Sequence, residues 1–295
     1  MATSNNNNYS VLPFYDSIEQ QNHRKAYAFG EVYPLYCLIN TLLPFQIDIP
    51  DTPTAPSEVF VVNFNDGTET DITADITAVG LKAYTAAGYK MLVFPSAMPM
   101  QTDFQQGRYY LRLVAHFADG DKTFFSEVFT WVLSVSNYLQ IEWYDKGNML
   151  LDDGVAIYKT ADYRIKHYLY LDTELGKPEY TFEENGESRD GYFFPTKQIS
   201  EKVYRFTFVA PEYLCDLMRF IRLSDYVFVY DQYGRSYKCD TFLMTPKWLT
   251  QGDLAQVDCE FETNTVAKKT GQSVAADELG GDFNDDYNDD YNNAD

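Results

Sequence analysis

The fold is decided by residues 202–263, which read KVYRFTFVAPEYLCDLMRFIRLSDYVFVYDQYGRSYKCDTFLMTPKWLTQGDLAQVDCEFET. Aromatic and polar residues alternate over 203–209, which is the period of a half-buried strand. Apolar residues then recur every three or four positions after Pro211, a spacing that predicts an amphipathic helix over 211–223. Residues 226–230 and 254–262 return to strand patterns, with a turn at Gly234. The segment specifies its own fold well and contains no catalytic motif.

The composition of the whole chain also favours strands. Of its 295 residues, 17% are aromatic, with 25 Tyr and 21 Phe. Flat aromatic rings pack well on a pleated surface and favour strands. The length suffices for two domains of ordinary size, each with its own core. We therefore predict a mainly β protein.

The charge and the termini exclude several classes of function. The formal net charge is -21, and an acidic body repels phosphate backbones and anionic membranes, so we expect no nucleic-acid binding. Residues 1–10 are rich in Asn and lack the basic and apolar regions of a signal peptide. No apolar run reaches the roughly 18 residues of a membrane span, so membrane insertion is not expected.

Four segments follow from the changes in composition along the chain. We predict a partly disordered N-terminal arm over 1–25 and a β-sandwich over 26–136. In the latter, strands at 108–117 and 123–131 flank a turn at Gly120, an order that resembles the last strands of an immunoglobulin or fibronectin domain. A second β-sandwich over 137–266 carries the helix at 211–223. Residues 267–295 form an acidic tail that cannot bury enough apolar surface to order itself.

Residues that commonly carry chemistry are sparse and scattered. The three histidines lie far apart in sequence and have no metal-ligand spacing, and the four cysteines form no CxxC pair and are interpreted as reduced, buried thiols. These residues are His23, His116, His167, Cys37, Cys215, Cys239 and Cys259. Phosphate-binding and nucleophile-elbow motifs are absent from the sequence. We predict no catalytic, cofactor-binding or metal-binding residue, and no cofactor.

Carboxylates are plentiful, and their pairing in the fold is not readable from sequence. Neighbouring pairs occur at 152–153 and 183–184, and Asp66 lies near Glu69. We interpret most of them as solvated turn residues, although a glycosidase pair brought together by the fold stays open. The tail holds eight acidic and no basic residues over 277–295, without the spacing of a calcium loop. A tether whose tyrosines dock on a basic surface is the functional interpretation of this tail.

One resemblance covers about 80 residues of the predicted second domain. The residues that carry it are RDGYFFPTKQ at 189–198, SEKVYRFTF at 200–208, PEYL at 211–214, LSD at 223–225, PKW at 246–248 and VDCEFET at 257–263. Together they resemble tail or baseplate-type structural proteins of phages and prophages of Bacteroides-like bacteria. Distal-tail and tail-tube proteins similarly join a β-sandwich to one packed helix. The resemblance implies a virion protein that assembles in the bacterial cytoplasm and self-associates into rings.

The sequence therefore favours a structural subunit of a phage-like tail, baseplate or related injection apparatus, and not an enzyme. Its expected partners are further copies of the chain and neighbouring virion proteins, because tyrosine-rich surfaces and sheet edges suit such contacts. A carbohydrate-binding or receptor-binding β-sandwich is the alternative, since exposed aromatic residues would also serve it. A glycan hydrolase is a further alternative that requires two facing carboxylates.

Overall fold

The structure is a computed structural model that describes residues 10–18, 33–94, 103–151, 154–159, 164–189, 191–248, 254–263 and 267–270. These residues are mainly β, with several sheets, as the composition predicts. Two compact units are present, one over 1–178 and 203–264, the other over 179–202 and 265–295. The predicted N-terminal arm lies mostly outside the described residues, and so do residues 271–295 of the predicted tail.

The larger unit begins with two sheets. Seven strands form the first sheet: β1 (Phe14–Tyr15), β2 (Leu35–Leu38), β4 (Glu58–Asn63), β5 (Glu69–Asp71), β8 (Gly107–Phe117), β9 (Gly120–Ser126) and β10 (Phe129–Val132). Three strands form the second: β3 (Phe45–Ile49), β6 (Lys82–Ala86) and β7 (Tyr89–Phe94). A short helix, α1 (Thr73–Val79), lies between β5 and β6 in the chain and ends at Gly80, whose φ of 116° is left-handed.

Strand β8 is the centre of the seven-stranded sheet. It pairs antiparallel with β4 on one side and with β9 and β10 on the other, while β10 pairs in parallel with β2. The β8–β9 hairpin is confirmed, and its turn contains Gly120 with φ of 126°. The predicted strand at 123–131 is divided in two, because Glu127 turns inward and accepts a hydrogen bond from the Tyr15 hydroxyl at 3.1 Å.

Further along the larger unit, six strands pair in the order β14, β11, β17, β18, β19, β16. Their bounds are β11 (Leu139–Tyr144), β14 (His167–Leu171), β16 (Tyr192–Pro211), β17 (Tyr226–Tyr230), β18 (Ser236–Trp248) and β19 (Leu254–Thr263). A separate hairpin joins β12 (Met149–Leu151) to β13 (Gly154–Ala156). The predicted strands at 203–209, 226–230 and 254–262 are all confirmed.

The predicted helix is shorter than its apolar pattern. Helix α2 spans Glu212–Met218, and a 3-10 turn follows at Ile221–Leu223. Pro211 is the N-cap in an extended conformation, which a residue without an N–H tolerates. The apolar stripe is buried throughout, and its members are Leu214, Leu217, Met218 and Ile221. The stripe therefore gave the buried face correctly but not the change of helix type.

Both parts of the larger unit share one continuous hydrophobic core. A polar contact joins them as well, because the buried Gln46 side chain on β3 donates to the Val155 carbonyl at 2.5 Å. The same side chain accepts from the Ile157 N–H at 3.0 Å. Gln46 thus satisfies two backbone groups that burial would otherwise leave unpaired.

The smaller unit consists of β15 (Glu179–Arg189), residues 192–202 of β16, and β20 (Ala267–Thr270). Strand β20 pairs antiparallel with β16 from Lys197 to Ser200. It occupies the first four residues of the predicted tail. Strand β16 is one uninterrupted strand of 20 residues that belongs to both units.

Candidate interaction surface

The two described histidines, His116 and His167, lie in different settings. His116 on β8 has its Nδ1 atom 2.8 Å from Asp121 Oδ1, across the β8–β9 hairpin. His167 on β14 is buried and stacks on Trp143 with ring centroids 5.2 Å apart. Burial lowers the pKa of His167 to about 3, so this side chain is neutral near pH 7. His23 lies outside the described residues.

The cysteines are poor nucleophiles in this fold. All four are free, and three of them are buried. Burial raises the pKa of Cys37 and of Cys239 to about 12 and that of Cys215 to about 11, and it also raises the pKa of Cys259. Over the described parts of the chain, no group of three or more His, Cys, Asp or Glu side chains is arranged to hold a metal ion.

The carboxylates singled out by sequence lie apart from one another. Asp66 accepts the Thr68 N–H at 2.9 Å in the β4–β5 turn, while Glu69 pairs with Arg112 at 2.9 Å. Glu183 and Glu184 are exposed on β15. The pair at 152–153 lies outside the described residues.

The fold brings together another carboxylate pair, Asp145 and Asp225, which the sequence did not indicate. Both carboxylates accept the Lys146 backbone N–H, at 2.7 Å for Asp145 and 2.9 Å for Asp225, because the register of β11 and β17 places Tyr144 opposite Tyr226. Burial and the neighbouring Asp225 raise the pKa of Asp145, while interaction with Asp145 lowers the pKa of Asp225. Glycosidases hold their carboxylates at least about 5 Å apart to admit the sugar. Two carboxylates that accept the same N–H leave no room between them for a sugar and do not match that arrangement.

The most unusual surface belongs to residues 179–202, which we call the hairpin arm. Its two strands, β15 and the first half of β16, meet at Gly191, whose φ of 82° suits a tight turn. Four of the twelve exposed large apolar side chains in the described residues lie in this arm. They are Tyr180, Phe182, Tyr192 and Phe193, which are 53–74% exposed. This concentration makes the arm the strongest candidate for a contact surface among the described residues.

Polar contacts fix the conformation of the arm. Thr196 donates its hydroxyl to the Asn185 carbonyl at 3.0 Å, and Gln198 donates to Glu184 at 2.8 Å. The Lys202 ammonium lies 6.0 Å from the centroid of the Tyr180 ring. Since alternate residues of a strand share a face, Tyr180, Phe182 and Glu184 point to the same side. The arm is therefore an ordered hairpin with aromatic rings on its surface.

The outer edge of the arm is open. Within the described residues, β15 pairs with β16 and with no other strand. An edge strand of this kind presents outward backbone N–H and C=O groups to which a further strand can add. Four glutamates along β15 discourage indiscriminate pairing and favour a partner of suitable charge.

Comparison with known proteins adds no identification. No protein-family model, curated protein or solved structure matches the chain. Among the helices of the described ranges, none is both long enough and apolar enough to cross a membrane.

Proposed function

We propose that this chain is a structural subunit of a phage-like tail, baseplate or related injection apparatus, where it binds further copies of itself and neighbouring virion proteins. The observation that carries the proposal is the hairpin arm, which combines exposed aromatic rings with β15, the outermost strand of its sheet in the described part of the chain. Aromatic residues are enriched at protein interfaces, and an edge strand supplies directional backbone hydrogen bonds. The proposed location is the virion, after assembly in the bacterial cytoplasm.

The topology of the first two sheets supports an immunoglobulin-like first domain, which we infer as part of this proposal. Such domains pair strands B, E and D in one sheet and C, F and G in the other. Both sets of pairs are reproduced when strands B to G are assigned, in chain order, to β3, β4, β6, β7, β8 and β9. Strand β5 is then an addition beside β4. The fold of such a domain does not by itself determine a function, which depends on the particular surfaces of the protein.

The charge of the hairpin arm indicates how copies of the chain contact one another. The arm has six acidic and three basic residues, so two arms placed edge to edge would bring glutamates together. We therefore favour a head-to-tail contact, in which the arm of one copy binds a different surface of the next. Contacts of this type close into rings when the rotation between copies allows it.

The test is the sedimentation of the purified full chain over a wide range of concentrations, alone and with the products of adjacent genes. We expect rings or mixed complexes, and we expect Phe182→Glu to weaken them because it places a charge in an apolar contact. Leu133→Glu is the matched control, since Leu133 is 70% exposed against 74% for Phe182 and lies outside the arm. Strictly monomeric behaviour, without binding to any neighbouring gene product, would refute the proposal.

The same exposed rings favour one second candidate, a carbohydrate-binding or receptor-binding module. Tyr180 and Phe182 lie on one face of the arm, and flat rings of this kind stack on sugars as well as on proteins. Binding of the full chain to a glycan array, abolished by Tyr180→Ala, would favour this candidate over assembly.

A further inference from the structure

A second surface of the larger unit combines aromatic rings with positive charge in a strongly acidic protein. Tyr144 on β11 and Tyr226 on β17 are cross-strand partners whose rings stack with centroids 4.8 Å apart. Phe228 extends the stack, 6.2 Å from Tyr144. Stacking of this kind fixes a flat, half-buried aromatic platform on the sheet.

Four cations surround this platform. The Arg164 guanidinium lies 5.0 Å from the Tyr144 ring centroid and 5.9 Å from that of Tyr226. Lys166 lies 5.2 Å from the Tyr144 centroid, while Lys146 and Lys238 lie 5.5 and 5.8 Å from the Tyr226 centroid. We call these six residues the cationic tyrosine cluster: Tyr144, Lys146, Arg164, Lys166, Tyr226 and Lys238.

The four cations are not equally neutralised. Lys166 pairs with the buried Glu142 at 3.0 Å, and Lys146 pairs with Asp225 at 3.6 Å. In the described part of the chain, Arg164 and Lys238 have no carboxylate within salt-bridge distance, and both are exposed. The cluster therefore offers two accessible cations beside an aromatic platform, a combination that suits a ligand with both carboxylates and rings.

The chain contains one segment with that chemistry. Residues 277–295 hold eight acidic residues and no basic ones, and they include the tandem NDDY at 284–287 and 288–291. The hairpin arm is also acidic and aromatic, but its three basic residues make it a poorer complement. The 25 residues after Thr270 span up to about 80 Å when extended, which gives the tandem a long reach.

We propose that the C-terminal NDDYNDDY segment binds the cationic tyrosine cluster of its own or a neighbouring copy. The aspartates pair with Arg164 and Lys238, and the tyrosines stack beside the Tyr144–Tyr226 platform. This contact does not depend on the hairpin arm, because a monomer could also bind its own tail. It assigns the acidic segment a partner of defined chemistry within the same protein.

The experiment is photo-crosslinking in the full chain, with p-benzoylphenylalanine in place of Tyr287 and mass-spectrometric mapping of the products. We expect crosslinks to peptides that contain Tyr144, Arg164 or Tyr226. In the double variant Arg164→Glu/Lys238→Glu, their yield should fall at least about tenfold, because the reversal replaces two attractive contacts with two repulsive ones. High salt should lower the yield as well.

Lys122→Glu is the matched control, because Lys122 is an exposed lysine on β9, away from the cluster. It should leave the crosslink pattern unchanged. Crosslinks that persist on dilution indicate the tail of the same copy, and crosslinks lost on dilution indicate a neighbour; both support the proposal. Crosslinks to other surfaces such as the hairpin arm, or a yield that survives the double reversal in a variant of normal thermal stability, would overturn it.

Discussion

Acid should destabilise this protein through one buried histidine, His167. Its side chain lies between Trp143, on which it stacks, and Tyr158, whose ring centroid is 5.0 Å away. Within the described residues its Nδ1 atom has no hydrogen-bond partner. Protonation would place an unpaired charge in this apolar site, and burial accordingly lowers the pKa of His167 from 6.5 to about 3.

The sign and the size of the effect follow from proton linkage. The unfolded chain binds a proton at His167 near pH 6.5, whereas the folded chain does so only near pH 3. Between these values the unfolded state holds more protons, so the free energy of unfolding falls as the pH falls. At about pH 5, some 1.5 units below the unfolded pKa, the loss is about 2 kcal/mol at 1.36 kcal/mol per unit.

The assay is urea unfolding at about pH 7.5 and about pH 5, for the wild type and for His167→Phe. Phenylalanine keeps the ring stack and cannot take up a proton, so its loss of stability on acidification should be about 2 kcal/mol smaller than that of the wild type. Phe129→Leu is a control that destabilises the core without changing a titratable group, and it should keep the wild-type loss. Equal losses in the wild type and in His167→Phe would refute the reasoning.

Three further substitutions compare, in the same urea assay, how much buried and exposed polar contacts contribute to the free energy of unfolding. Gln46→Leu leaves two buried backbone groups unpaired and should lower the free energy of unfolding by about 2–4 kcal/mol; a loss below 1 kcal/mol would contradict this role. Asp231→Asn removes a buried carboxylate that pairs with Arg235 at 2.7 Å, at a cost of about 1–3 kcal/mol, and an unchanged stability would be contrary evidence. Glu69→Gln breaks a partly exposed ion pair with Arg112 and should lower the free energy of unfolding by at most about 1 kcal/mol. A larger loss would contradict the expectation that exposed ion pairs contribute little to stability.

Local sequence patterns predicted much of the fold because they reflect short-range geometry. Strand β17 has the bounds that its apolar alternation indicates, and β19 extends one residue further than predicted. Helix α2 is shorter than predicted because an apolar stripe reports which residues are buried, and both an α-helix and a following 3-10 turn can bury them. Turn type is not encoded in that stripe.

The surfaces were harder to predict because they depend on pairing between distant segments. Asp145 meets Asp225 only through the register of β11 and β17, and no spacing in sequence indicates it. The cluster around Tyr144 and Tyr226 arises in the same way. In the arm, the exposure of Phe182 is not readable from sequence, since an aromatic residue in a strand is usually buried.

The central claim, that the open edge of the hairpin arm joins subunits, is tested most directly by hydrogen exchange. Exchange of the β15 amides at Glu179–Arg189 would be measured in dilute chain and in assembled material, with β5 as an edge strand for comparison. We predict that the outward amides of β15 become protected on assembly while those of β5 do not change, because a strand or surface of the next subunit pairs with this edge. Assembly that leaves every β15 amide as exchangeable as in the dilute chain would contradict the account.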